Sequence, residues 1–196
     1  MVLNQKKSKV MIFNNTRDFQ FHTRIKMKNE NLEVVNQAKL LGTVITSDLK
    51  WDSNTCDLIK RARPRMLLLS KATEYTSNYS DLKMIYITFV RSVLEQSAAV
   101  WHSSLTQENM YDLERVQKNA MRIILKDNYT SYNEAIEILK LDDLFTRREV
   151  ICEQFALNAT NNPKMKKHFR KNNKSHVMNV RQSEKFNVDF AYSDRL

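Results

Sequence analysis

LKMIYITFVRSVLEQSAAVWHSSLTQENMYDLERVQKNAMRIIL, residues Leu82 to Leu125, carries two successive helical periods with no glycine or proline inside them. In its first half, Leu82, Ile85, Tyr86, Phe89, Val93, Ser97, Val100 and Trp101 recur at i, i+3 and i+4. Met84, Ile87, Val90 and Leu94 widen the apolar surface beyond one stripe, so the spacing predicts a central, buried helix over 80–101. In its second half, Leu113, Val116, Ala120, Ile123 and Ile124 share a face. At 100° per residue, Arg115, Lys118, Arg122 and Lys126 fall on the opposite side. The prediction is a helix over 107–126 with a core face and a basic stripe.

The helical period continues on both sides, giving three more predicted helices at about 53–73, 131–139 and 143–160. Ser53, Ser80, Thr106, Ser131 and Asp142 stand near the starts of the five segments, where a side-chain oxygen can accept an amide hydrogen of the first turn. Pro64 lacks an amide hydrogen and pushes Arg63 out of the α region, so a kink or break is expected there. Ahead of Trp51 the pattern changes. Lys9–Phe13, Phe19–Met27, Leu32–Val35 and Lys39–Thr46 are short and rich in β-branched and aromatic residues, as half-buried antiparallel strands are. Beyond Pro163 the sequence is polar, basic and without period. The expected fold is α+β and mainly α: a small antiparallel sheet in residues 1–50, a helical bundle over 51–162, and a poorly ordered basic tail over 163–196.

Composition narrows the chemistry. Gly42 is the single glycine of the 196 residues, which excludes a GxGxxG fingerprint, a P-loop and any other glycine-rich phosphate cradle. Cys56 and Cys152 are too few for a disulfide framework or a zinc set, and His22, His102, His168 and His176 have no metal-ligand spacing with them. A reduced, intracellular protein is the expectation, nuclear and cytoplasmic compartments both remaining open. No apolar run approaches the roughly 20 residues that cross a bilayer, so no membrane partner is expected, and with no glycine-rich cradle no small-molecule ligand is expected either. The formal charge of +10 favours a polyanionic partner, since Lys and Arg displace counterions condensed on phosphates. That charge is uneven: +5 over residues 1–50, +2 over 51–101, −3 over 102–162 and +6 over 163–196.

Several segments resemble one family, the region downstream of the active site in non-LTR retrotransposon reverse transcriptases of the jockey-like, LINE type. LNQKKSKVMIFN (Leu3 to Asn14) is similar to the Asn-x-x-Lys-[Ser/Thr]-Lys segment called motif D. AKLLGTVITSDLKWDSN (Ala38 to Asn54) is similar to motif E, the primer grip, and the Leu-x-Trp approach to the thumb. Arg91 to Leu125 is similar to the family's Arg, Leu-Glu, Val-Trp and Leu-Glu-x-x-Gln-x-x-Ala-x-Arg signature, and Leu141 to Leu157 to its Leu-x-x-Leu-x-x-Arg-Arg helix.

The resemblance implies a polymerase thumb with the edge of a palm. It implies a truncated fragment of an RNA-directed DNA polymerase that binds an RNA/DNA primer–template duplex. The family's Ala-Asp-Asp motif, which holds Mg²⁺ in a complete enzyme, is not in this sequence. No catalytic residue, metal ligand or resident cofactor is therefore assigned, and the chain by itself is expected to be inactive and to need a palm and fingers supplied upstream. The alternative is an inert transposon remnant or an adopted helical interaction module without a polymerase role.

The residues expected to meet nucleic acid are Lys7 and Lys9 in the motif D segment, Leu41 and Gly42 in the grip, Arg61, Arg63 and Arg65 in the first thumb helix, and Arg115, Lys118 and Arg122 on the basic stripe. Three of these groups have a plainer reading. KKSK also suits a solvated basic turn, Gly42 a simple turn, and the stripe an ordinary hydrated face. Asp142 and Asp143, the only adjacent acidic pair, suit a helix N-terminus, and Trp101 suits the core.

Overall fold

The computed structural model describes residues 8–13, 24–27 and 30–167. The chain divides into two compact units, Met1–Glu149 and Val150–Leu196. The architecture is mainly helical, with short strands first and helices after them. Lys7, most of the expected Phe19–Met27 strand, and the tail from residue 168 lie outside the described residues.

The strands are β1 (Lys9–Val10), β2 (Lys26–Met27), β3 (Glu30–Asn31), β4 (Glu33–Val34), β5 (Gln37–Leu40) and β6 (Thr43–Thr46). Among the described residues they form three pairs instead of one sheet. β2–β3 and β5–β6 are antiparallel as expected, but β1–β4 is parallel. A hydrophobic run fixes which face is buried and says nothing about strand direction, so this correction was outside its reach. The expected Lys39–Thr46 strand is in fact a hairpin. Gln37 faces Thr46 and Leu40 faces Thr43, leaving Leu41 and Gly42 as a two-residue turn with φ of +49° and +87°. Positive φ at both positions matches the strand twist, and the sole glycine takes the second.

Helix α1 (Asp52–Ala72) runs unbroken through Pro64. The break expected there does not occur: Pro64 and Lys60, whose carbonyl loses its amide partner, are both exposed, so water can satisfy that carbonyl. α1 begins after Trp51 with no side-chain cap, and Ser53 lies inside it. Its Asn54, buried, takes the amide of Val44 on Oδ1 at 3.0 Å, joining β6 to the helix.

The expected helix over 80–101 is a composite. α2 (Tyr79–Ile85) is capped by Asn78, not Ser80. It passes through a π turn over Tyr86–Arg91 into α3 (Ser92–Leu94), the chain turns at Glu95–Ser97, and α4 (Ala98–Trp101) follows. The buried positions Leu82, Tyr86, Val90 and Leu94 recur every fourth residue. In a helix of 3.6 residues per turn that stripe drifts by about 40° each turn, and the wider π turn holds it in line. Phe89, expected inside, is 49% exposed for the same reason, and Val100, also expected inside, is 57% exposed because the turn at Glu95–Ser97 re-aims α4. Ser97, with φ +56°, ends the run in the left-handed region.

α5 (Gln107–Leu125) follows Thr106, whose side chain accepts from the Asn109 amide. Its buried positions are Asn109, Leu113, Gln117, Ala120, Met121, Ile124 and Leu125, with Val116 and Ile123 half-buried at the edge. α6 (Tyr132–Leu139) is capped by Ser131. α7 (Leu144–Asn161) starts behind Asp143, which takes the Thr146 amide at 2.8 Å; Asp143 is the cap where Asp142 was expected. In the second unit, past the end of α7, Pro163 opens the short α8 (Pro163–Lys166) behind Asn162, a helical turn where the sequence suggested none.

α1 and α5 lie side by side and run the same way. Asn109 donates to Asp52 Oδ1 at 2.6 Å near both starts, and Lys126 donates to the Thr73 carbonyl at 3.1 Å near both ends. The core between them and α2–α4 holds Leu58, Ala62, Leu69, Tyr86, Leu113 and Trp101, the last fully buried as expected.

Candidate nucleic-acid interface

Helix geometry sorts the arginines of α1 into two groups. Arg65 is seven residues beyond Leu58 and four before Leu69, both core residues, and Arg61 stands one turn before it. These two point toward the fold. Arg63, displaced by about 140° from Leu58, points away.

Arg61 locks the hairpin onto the bundle. Its Nη1 donates to Gln96 Oε1 at 2.6 Å and its Nη2 to the Gly42 carbonyl at 3.2 Å, while Nε lies 2.8 Å from Asp57 Oδ2. Gln96 Nε2 donates to the Leu41 carbonyl at 3.0 Å, and Lys39 Nζ donates to both Asp57 oxygens at 2.8 and 2.9 Å. Burial pushes the Asp57 carboxyl up, but the Lys39 hydrogen bond and the charges of Arg61 and Lys39 outweigh it and leave the group below its ordinary value. Gly42 serves both the turn and a close approach: a Cβ there would stand 2.4 Å from Gln96 Nε2. Leu41, at the tip, is 89% exposed. Arg65 donates from Nη1 to the Phe89 carbonyl at 2.6 Å, beside the π turn. Arg61 thus spends its donors within the protein, and Arg65 turns one of its own to a backbone carbonyl.

The basic stripe of α5 is also engaged. Lys118 sits 5.6 Å from the Tyr111 ring and 5.0 Å from the Tyr132 ring, and Arg122 sits 5.2 Å from the Tyr129 ring while donating to Asn119 Oδ1 at 3.2 Å. Lys9 is ion-paired with Glu33 at 3.0 Å in an exposed position. Arg115 pairs with Asp112 at 3.2 Å, also exposed; such a pair is worth at most about 1 kcal/mol and gives way easily to a phosphate.

From the expected set the structure brings together Arg61 with Leu41 and Gly42 at the hairpin, and Arg63 with Arg115 on the open side of the bundle. Arg63 and Arg115 line opposite sides of a groove of about 380 Å³ between α1 and α5, with Ile59, Met66, Val116 and Ile123 below them and Asp112 and Asn119 beside Arg115. No family model, no curated protein and no solved structure matches the chain. Among the described residues no group of three or more His, Cys, Asp or Glu lies close enough to hold a metal ion, and no helix is long and apolar enough to cross a membrane.

The reading from sequence missed a polar junction on the other side of α5. Buried Gln117 accepts the Tyr86 hydroxyl on Oε1 at 2.5 Å and donates from Nε2 to the Tyr132 hydroxyl and the Asp142 carbonyl, each at 2.9 Å. Tyr132 in turn donates to Glu114, whose carboxylate accepts the first amide of α7, Leu144 N, at 3.2 Å. Burial, then the hydrogen bond and charge of Glu114, push the Tyr132 hydroxyl far above its ordinary value, and burial does the same to Tyr86, so both remain donors. Glu95 lies 3.4 Å from Arg91 Nε and 3.2 Å from Arg147 Nε. Arg148, buried beside Trp101, donates to His102 Nδ1 at 3.3 Å. Burial and then the Arg148 charge hold His102 below its ordinary value. Gln117 had a visible signal: it is a polar residue in line with Leu113, Ala120, Met121 and Ile124.

Proposed function

We propose that this chain is the palm-edge and thumb portion of a retrotransposon reverse transcriptase and grips a primer–template through the open side of α1 and α5. The observation that carries the proposal is the Arg63–Arg115 pair, two cations on neighbouring parallel helices with their guanidinium groups available to backbone phosphates. Two further facts support it. The hairpin that resembles the primer grip is tied by Arg61 and Gln96 to the helices that resemble the thumb, as one working surface requires. In the most specific part of the resemblance, Arg91 to Leu125, Trp101, Gln117 and Ala120 are buried and Glu95 and Glu114 half-buried in the contacts of the bundle, which is where a family pattern tied to a fold is expected. In this reading the chain positions the duplex, and the metal-binding carboxylates act from another segment.

Fluorescence anisotropy with a labelled primed template tests it. The full chain binds more weakly as salt rises, and Arg63→Glu with Arg115→Glu flattens the slope of log affinity against log salt by about 2, roughly 0.9 for each phosphate that is no longer neutralised. With Mg²⁺ and deoxynucleotides, no primer extension accompanies binding. An unchanged slope in the double variant, or template-dependent extension by the purified chain, overturns the proposal. The alternative, an adopted helical interaction module, draws on one observation: Arg61, Arg65, Lys118 and Arg122 are all engaged within the protein.

A further inference from the structure

The groove between α1 and α5 has a shape that the grip on a duplex leaves unused. Its floor is aliphatic, made by Ile59, Met66, Val116 and Ile123, and its cations stand on the two rims. A duplex resting on Arg63 and Arg115 would touch them with the phosphates of its backbone and leave the floor uncovered, because the paired bases face inward. An unpaired nucleotide has what the floor lacks: a flat, largely apolar base to cover it and a phosphate on either side for the rims. The Asn119 side chain lies at the same rim, with its Oδ1 accepting from Arg122, and its Nδ2 faces no partner among the described residues that would compete for the acceptors of a base edge.

Resting on the reading above, we infer that this groove is a binding site for one unpaired nucleotide of a single strand, entered where the template leaves the duplex. The base lies on the four aliphatic side chains and its flanking phosphates meet Arg63 and Arg115. The charge pattern fits: among the described residues Asp112 is the one acidic group lining the groove, and it is neutralised by Arg115 in the free protein. Hydrophobic cover of the base adds affinity without selecting a sequence.

The experiment compares a blunt duplex with the same duplex carrying a single-stranded template overhang, using the full chain and a 2-aminopurine at the first overhang position. The overhang binds about tenfold more tightly, and the 2-aminopurine emission rises as the base leaves its stacked neighbours. Asn119→Trp, at an exposed position, fills the groove; it removes the overhang preference and the emission change. Equal affinity for both substrates, with the Arg63 dependence intact, overturns this inference and leaves the grip standing. Binding of neither substrate, or displacement by an acidic, leucine-containing peptide while nucleic acid does not compete, overturns both.

Discussion

Two polar arrays built on α5, on opposite sides of the helix, differ in where their groups find partners. Around Gln117 the amide and carboxylate groups are met inside the protein: Tyr86, Tyr132, Glu114, the Asp142 carbonyl and the α7 start close on one another. Along the α1–α5 groove the strong donors, Arg63 and Arg115, face outward over apolar floor. The difference teaches which charges in a basic protein are candidates for a partner. A buried, satisfied network fixes how helices meet and is costly to disturb, whereas cations at the rim of a cleft contribute little to stability and much to encounter with a polyanion.

The sharpest break of this comparison comes from Gln117→Leu. It strands the buried Tyr86 hydroxyl and the Asp142 carbonyl and leaves the Tyr132 hydroxyl with Glu114 alone, and about 3 kcal/mol of stability is lost, read as a shift in the urea midpoint at unchanged slope. Next is Gly42→Ala, which puts a side chain at φ +87° and drives it into Gln96. The Gln96 amide swings aside and gives up Leu41 and Arg61, for a loss of about 2 kcal/mol by the same measurement. A smaller effect comes from His102. Its folded value lies below the ordinary 6.5, so the unfolded chain takes up the proton first on acidification. Its contribution is complete above about pH 6.5 and is lost as pH falls from there toward the lower folded value. The urea midpoint therefore drops between about pH 7.5 and 5.5 by more in the parent than in His102→Gln. Smallest is Arg63→Glu, which shifts stability by less than about 0.5 kcal/mol while it weakens duplex binding. A stability loss there comparable with Gln117→Leu would erase the distinction between the closed and open arrays.

Much of this fold was legible because the helices announce themselves. The 3.6 period over 107–126, and the caps Thr106 and Ser131, sit where the sequence puts them. The strands were harder: Lys39–Thr46 has a continuous strand composition, and only the lone Gly42 hints at a hairpin. The π turn was hidden by the habit of matching i+3 and i+4, although the fourfold recurrence of Leu82, Tyr86, Val90 and Leu94 was on view. For the site, Arg61, Arg63 and Arg65 looked like one cluster in the sequence. Their helical angles already separate them, because Arg65 is in line with Leu58 and Leu69 and Arg63 is not. What no single sequence reveals is the partner across space: that Gly42 is met by Gln96, or that Arg115 shares a groove with Arg63, depends on which helices neighbour one another.

The surplus residue in the Tyr86–Arg91 turn makes that stretch a place where the chain can change length. Dropping one residue elsewhere in a buried helix rotates everything after it by about 100° and scrambles its inward side. Dropping one here tightens the coil to the ordinary pitch and leaves both flanks facing as before. Relatives of this chain with one residue fewer would be expected to have shed it between Tyr86 and Arg91.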